Sequence, residues 1–354
     1  MPRPNISGVR RDWILAVLVS LGFLGGGGAY VAQARVDPPV PVTVEITSVD
    51  TRLTAGTLVL AETPERTLDP YSGYGTWVDV FDYAPAYAGA EPPVSIGTLT
   101  EMAELGVGTV YLQAARLDDR TPDGLEDPWL LAEMVMTAHE LGMDVVAWYL
   151  PRFGDDDADL DRITAMADFE VLGHRFDGMA VDIEWTGDGI DHDTRTDRLV
   201  ELSRAARQEL GREPLGAIVL PPVQIEVVNP DFWPGFPWAG IADQYDVWLP
   251  MSYWSFRSES SGYNDGYTYH EESVRRLRNN LADENALVHG IGGIGGTDGV
   301  DDDPQPAEPL TSIDELQNFA DALTDTNSIG VSMYDWNTLE PAVRLRLAEL
   351  FSAR

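Results

Sequence analysis

Two residue types are missing from this chain of 354 residues: it has no cysteine and no lysine. Without cysteine there can be no disulfide, no thiolate nucleophile and no Cys-based zinc site. The five histidines show neither HExxH nor His-x-His spacing, which speaks against an imidazole-based metal enzyme. Positive charge is also scarce. The 23 basic residues, all arginine, face 59 Asp and Glu, for a formal net charge of −36. A surface of that sign repels phosphate, which argues against nucleic acid and anionic lipid as partners. The charge is spread widely and reads as a solubilising surface suited to high salt, where screening relieves self-repulsion.

The N-terminus does contain a long apolar run. Arg3, Arg10 and Arg11 precede an uncharged stretch from Trp13 to Ala34 that ends in Ala32-Gln33-Ala34. A basic start, an apolar run and a small-x-small ending are the marks of an export segment. The run also approaches the roughly 20 residues needed to span a bilayer. Residues 1–34 are therefore expected to be a cleaved signal or a retained anchor. Either would put the rest outside the membrane, secreted or anchored, with the membrane touched only through this segment. Residues 35–75 are rich in Pro, Thr and Gly and read as a stalk with short strand-like pieces.

From Thr76 the pattern becomes regular. Eight short apolar strands alternate with amphipathic helices, and several helices end in glycine, as at Gly106, Gly142, Gly173 and Gly211. Only the helix after the fifth strand is weak, where "NPDFWPGFPWAGIADQ" stands. Eight such units over residues 76–354 predict an α/β fold of the (β/α)8 TIM-barrel type. An open doubly wound sheet would call for a glycine-rich phosphate loop after an early strand. "GIGGIGG" (Gly290–Gly296) fits that motif loosely but falls on the seventh strand, and reads as a loop or bulge.

In such barrels the chemistry sits at the C-terminal ends of the strands. In "RFDGMAVDIEW" (Arg175–Trp185), alternation turns Met179, Val181 and Ile183 toward the helices and Gly178, Ala180, Asp182 and Glu184 inward. Two carboxylates at i and i+2 share a face, and like charges in a confined mouth keep one of them protonated. On the eighth strand the same alternation puts Ser332, Tyr334 and Trp336 inward and Asp335 away from the centre.

These residues resemble glycoside hydrolase family 18. Its signature, Asp-Gly-x-Asp-x-Asp-x-Glu on the fourth strand, is matched by Asp177, Gly178, Asp182 and Glu184, with Ala180 at the middle aspartate. "LPMSYW" resembles the family's Met-x-Tyr-Asp at Met251 and Tyr253, with Trp254 at the aspartate. "GVSMYDW" resembles the eighth strand, where the resemblance makes Trp336 the floor of the sugar site. The third-strand Ser-x-Gly-Gly pattern is replaced by "WYLPRF". The resemblance implies a glycosidase that needs no cofactor and takes a carbohydrate substrate, a polysaccharide or a glycoconjugate. Glu184 would protonate the leaving oxygen, Asp182 would steady a substrate acetamido group acting as internal nucleophile, and Tyr253 would bond its oxygen. Further expected substrate contacts are Tyr334, Met251, Trp254, Tyr149, Arg152, Asp82 and Gln113.

Two other readings stay open. One is a non-catalytic carbohydrate-binding barrel, suggested by Ala180. The other is a cation site built from Asp82, Asp182 and Glu184. The aromatics of "DFWPGFPW" (Asp231–Trp238) either stack on sugars or pack their loop. His289 reads as a satisfied core or rim histidine. Oligomeric state is not legible.

Overall fold

The computed structural model describes residues 64–121, 124–187, 189–293 and 312–352. The export segment and most of the stalk lie outside these residues. No helix among the described residues is long and apolar enough to cross a membrane.

Eight parallel strands close into a barrel: β1 (Gly73–Val78), β2 (Thr109–Ala115), β3 (Asp144–Tyr149), β4 (Gly178–Ile183), β5 (Leu215–Val219), β6 (Val247–Pro250), β7 (Leu287–Gly292) and β8 (Gly330–Met333). Each strand pairs with its sequence neighbours, and β8 returns to β1. The helices that follow them are α1 (Ile96–Glu104), α2 (Pro128–Glu140), α3 (Asp156–Asp168), α4 (His192–Leu210), α5 (Trp238–Ile241), α6 (Gly266–Leu281), α7 (Ile313–Asp325) and α8 (Pro341–Phe351). The weak fifth unit is the single-turn α5. This is a (β/α)8 barrel.

Three boundaries differ from the sequence reading, each for a local reason. The barrel starts before Thr76, because β1 begins at Gly73 and Tyr71 is buried beneath it. The first strand stops at Val78, because the Asp79 carboxylate accepts the Phe81 N–H at 2.7 Å and caps a one-turn helix, Val80–Tyr83. The third helix ends at Asp168 instead of running to Gly173. Leu172 and Gly173, with φ of 52° and 83°, form the turn between two short strands, Glu170–Val171 and His174–Arg175. Two consecutive left-handed residues suit a tight hairpin turn.

The barrel is filled, not hollow. Tyr71, Tyr111, Trp77, Trp148, Ile218 and Met251 belong to one buried interior cluster. Tyr71 closes the floor: its hydroxyl donates to Met179 O at 2.6 Å and accepts from Met179 N at 2.9 Å. A Cβ on Gly178 would stand 2.8 Å from that hydroxyl oxygen. Glycine in "FDGMA" is therefore set by the close approach of the plug.

Candidate active site

The carboxylates at the end of β4 follow from its alternation. Ala180 lies in the interior cluster, so Asp182, two residues on, points the same way at the C-terminal end of the strand. Asp182 is 7% exposed, and its Oδ1 is buried with no hydrogen-bond partner. Glu184 stands just past the strand end, half-buried. Burial, and then the charge of Glu184, push the Asp182 carboxyl well above the usual carboxylate range. Burial lifts the Glu184 carboxyl to about 6. Two carboxyls that both resist ionisation hold a proton near neutral pH, and a protonated carboxyl is a general acid.

Around this pair the expected contacts divide. Tyr334 packs on the interior cluster beside Trp77, donates to Asp79 Oδ2 at 2.8 Å, and lies with its ring centroid 6.2 Å from that of Tyr253. Tyr253 packs on the same cluster. Arg152 lies over the Trp185 ring, 5.1 Å from its centroid. Met251 is buried in the interior itself. Gln113 is also buried, and its side-chain oxygen accepts the Val80 N–H at 3.1 Å, which braces the turn after β1.

Three aromatics expected at the mouth are elsewhere. Tyr149 is fully buried with its hydroxyl bonded to Asp159 of α3, because Trp148 holds the inward register of β3. Trp254 is 1% exposed and packs on Phe319 of α7, 4.8 Å between centroids. Trp336 is 1% exposed under the Arg344 guanidinium of α8, 4.2 Å from its ring centroid, and floors nothing. Alternation fails for Trp336 because β8 ends at Met333, and beyond a strand the period of two no longer binds the chain.

The proposed cation set is also corrected. Asp82 groups with Asp79 and Asp335, whose carboxylate oxygens lie within 4.8 Å of one another, and not with Asp182 and Glu184. Asp335 thus turns toward the end of β1. Asp79 in this group already accepts from Phe81 N and Tyr334 OH. The Asp231–Trp238 loop resolves toward packing: Trp233, Phe236 and Trp238 are buried in a chain of ring contacts that runs on to Trp248.

Interior residues that sequence reasoning passed over are Trp77, Tyr111 and Trp148. Trp77 stacks on Tyr111 at 4.5 Å and meets Trp148 edge-on at 5.8 Å. The signal for Trp148 was present, since only one of Trp148 and Tyr149 can face inward on a strand.

With this geometry in hand, comparison with known proteins separates sequence from fold. No family model and no curated protein matches the chain. Solved structures do. A class V chitinase from Pseudomonas fluorescens Pf-5 superposes with a TM-score of 0.55 at 11% identity, over 78% of this chain and 98% of that one. The glycoside hydrolase domain of PgaB (BpsB) from Bordetella bronchiseptica gives 0.53 at 13%, over 80% and 99%. A glycoside hydrolase family 18 N-acetylglucosaminidase from Paenibacillus barengoltzii gives 0.50 at 10%, over 79% and 99%. The chain shares the barrel of these glycoside hydrolases. At such identities the likeness is one of fold.

Proposed function

We propose that this protein is a glycoside hydrolase with Glu184 as general acid and Asp182 as its helper. The observation that carries the reading is the Asp182–Glu184 pair, both carboxyls raised by burial, at the C-terminal end of β4. That is where this fold keeps its chemistry. Protonated Glu184 donates to the departing glycosidic oxygen. The substrate's own acetamido oxygen attacks the anomeric carbon, with Asp182 steadying the amide and Tyr253 bonding its oxygen. Water then opens the cyclic intermediate with ionised Glu184 as base, which retains configuration. The strand ends support an internal nucleophile: β5 leads into Leu220-Pro221-Pro222, and Asp79, just past β1, is committed to its cap and to Tyr334. Export of the barrel is part of the proposal and rests on Arg3, Arg10 and Arg11 before the apolar run.

A second reading, a carbohydrate-binding barrel without turnover, draws on Ala180. The interior beneath Asp182 holds that alanine and not a carboxylate, so Asp182 has no acidic partner on the strand below it. One assay separates the two. The full-length protein is incubated with chitin oligosaccharides, other N-acetylated glycans and neutral polysaccharides, beside Glu184→Gln. Hydrolysis lost in the variant supports the enzyme; hydrolysis that survives removes Glu184 from the mechanism; binding without turnover in both favours the second reading.

A further inference from the structure

Several arginines among the described residues find a carboxylate. Arg66 and Arg175 share Glu213, Arg207 meets Asp246, and Arg344 meets Glu101. Two arginines at the mouth do not. Arg116 directly follows β2, and Arg152 follows β3 by three residues, so they stand at the ends of adjacent strands. Neither side chain forms an ion pair among the described residues. Each lies instead on aromatic rings. Arg152 covers Trp185, while Arg116 has centroid distances of 4.8 Å to Phe81 and 5.6 Å to Tyr87.

A stacked guanidinium spends its flat face on the ring and keeps its in-plane N–H fork for a planar or tetrahedral oxyanion. The Nε of Arg116 is buried with no partner. The shelf under Arg152 is firm, because Trp185 lies so close to the Gly187 backbone that a Cβ there would come within 2.6 Å of the ring. Arg152 thus stands one residue from the acid by contact, through Trp185.

We infer that Arg152, stacked on Trp185 beside the Asp182–Glu184 pair, forms a subsite for an anionic group on the glycan, a carboxylate or a sulfate or phosphate ester. The inference rests on the glycosidase reading and names its substrate class. A glycan of this kind is repelled at long range by the −36 chain. Salt screens that repulsion, whereas the half-buried arginine contact is screened less.

The test uses full-length protein carrying Glu184→Gln, titrated calorimetrically at about 0.15 M salt, near physiological ionic strength. The probes are a hyaluronan hexasaccharide, its carboxyl methyl ester and a chondroitin sulfate hexasaccharide. The acid should bind about tenfold or more tighter than the ester, the order expected of a charge-assisted hydrogen bond. Adding Arg152→Ala should remove most of that ratio, and Arg152→Lys should restore only part, since it keeps the charge and loses the fork. Tighter binding of the sulfated probe than of the acid also supports the subsite and selects the tetrahedral group. Equal affinity for acid and ester overturns the inference, as does an Arg152→Ala loss that is the same for both. If wild-type protein still cleaves neutral chitin oligosaccharides in that event, only the subsite fails. If no saccharide is bound or cleaved, the glycosidase reading fails and the subsite with it.

Discussion

The two ends of the barrel treat buried polar groups in opposite ways. At the floor the polar groups around His289 are answered. The Nδ1–H of His289 donates to Tyr71 O at 2.8 Å, and its Nε2 accepts from Ser332 Oγ at 2.8 Å. That same hydroxyl oxygen accepts from Trp77 Nε1 at 2.7 Å. Burial pushes the His289 imidazole down to about 4, so it stays neutral. At the mouth Asp182 keeps a buried oxygen with no partner, next to a second carboxyl that burial also raises. Buried polar groups are normally satisfied, and those that are not are found where strain serves chemistry. The floor holds the fold together, and the mouth holds two carboxyls that burial raises, at the fold's expense.

The largest expected effect breaks the comparison at the mouth. Glu184→Gln should lower kcat/KM by about 10²–10⁴, the usual contribution of a general acid, while circular dichroism stays that of the wild type. Loss of the far-ultraviolet signal would instead make Glu184 a structural residue.

At the floor the sign reverses. His289→Ala leaves Tyr71 O and Ser332 short of a partner in a sealed interior. It should cost about 2–4 kcal/mol in a urea titration at pH 7, with kcat/KM per folded molecule little changed. The same histidine predicts acid sensitivity. Its folded pKa lies below the unfolded one, so the unfolded chain takes the proton first. Stability falls as pH drops from about 6.5 toward 4.

A smaller effect of opposite slope belongs to Glu184. Its folded carboxyl, at about 6, binds a proton more tightly than the unfolded one does. That penalty is absent at low pH and complete above about 6. Glu184→Gln should therefore stabilise the protein by about 1 kcal/mol at pH 8, allowing for its half-buried position, and by nothing measurable at pH 4. A thermal melt at the two pH values reads the difference, and equal shifts would mean the carboxyl is not strained.

The smallest effect separates two neighbouring aromatics. Trp336→Phe, under Arg344 and outside the mouth, should leave KM within about twofold while loosening the α8 contact by about 1 kcal/mol. A large rise in KM would return Trp336 to the sugar site.

The barrel was legible because its evidence is periodic and repeated. Eight apolar segments alternating with amphipathic ones have few other closed arrangements, and errors of a few residues at Thr76 or Gly173 leave the count intact. The inward set of β4 was legible too, since Ala180 and Asp182 lie within one unbroken strand. What failed was the same rule carried past a strand end. Trp336 follows Met333 by three residues, so it does not obey the alternation that precedes it. On β3 Tyr149 was expected at the substrate, but Trp148 holds the inward register.

By itself the sequence determined the charge, the absence of thiol chemistry, the alternating elements and the inward set of β4 up to Asp182, all of which depend on composition or on spacing along one element. Only the tertiary structure decided which aromatics line the barrel, that Asp335 joins Asp79 and Asp82, and that Arg152 lies on Trp185. Those are meetings of residues far apart in the chain. Their geometry is set by how eight strands close and how loops pack over them, which spacing along a single strand does not encode.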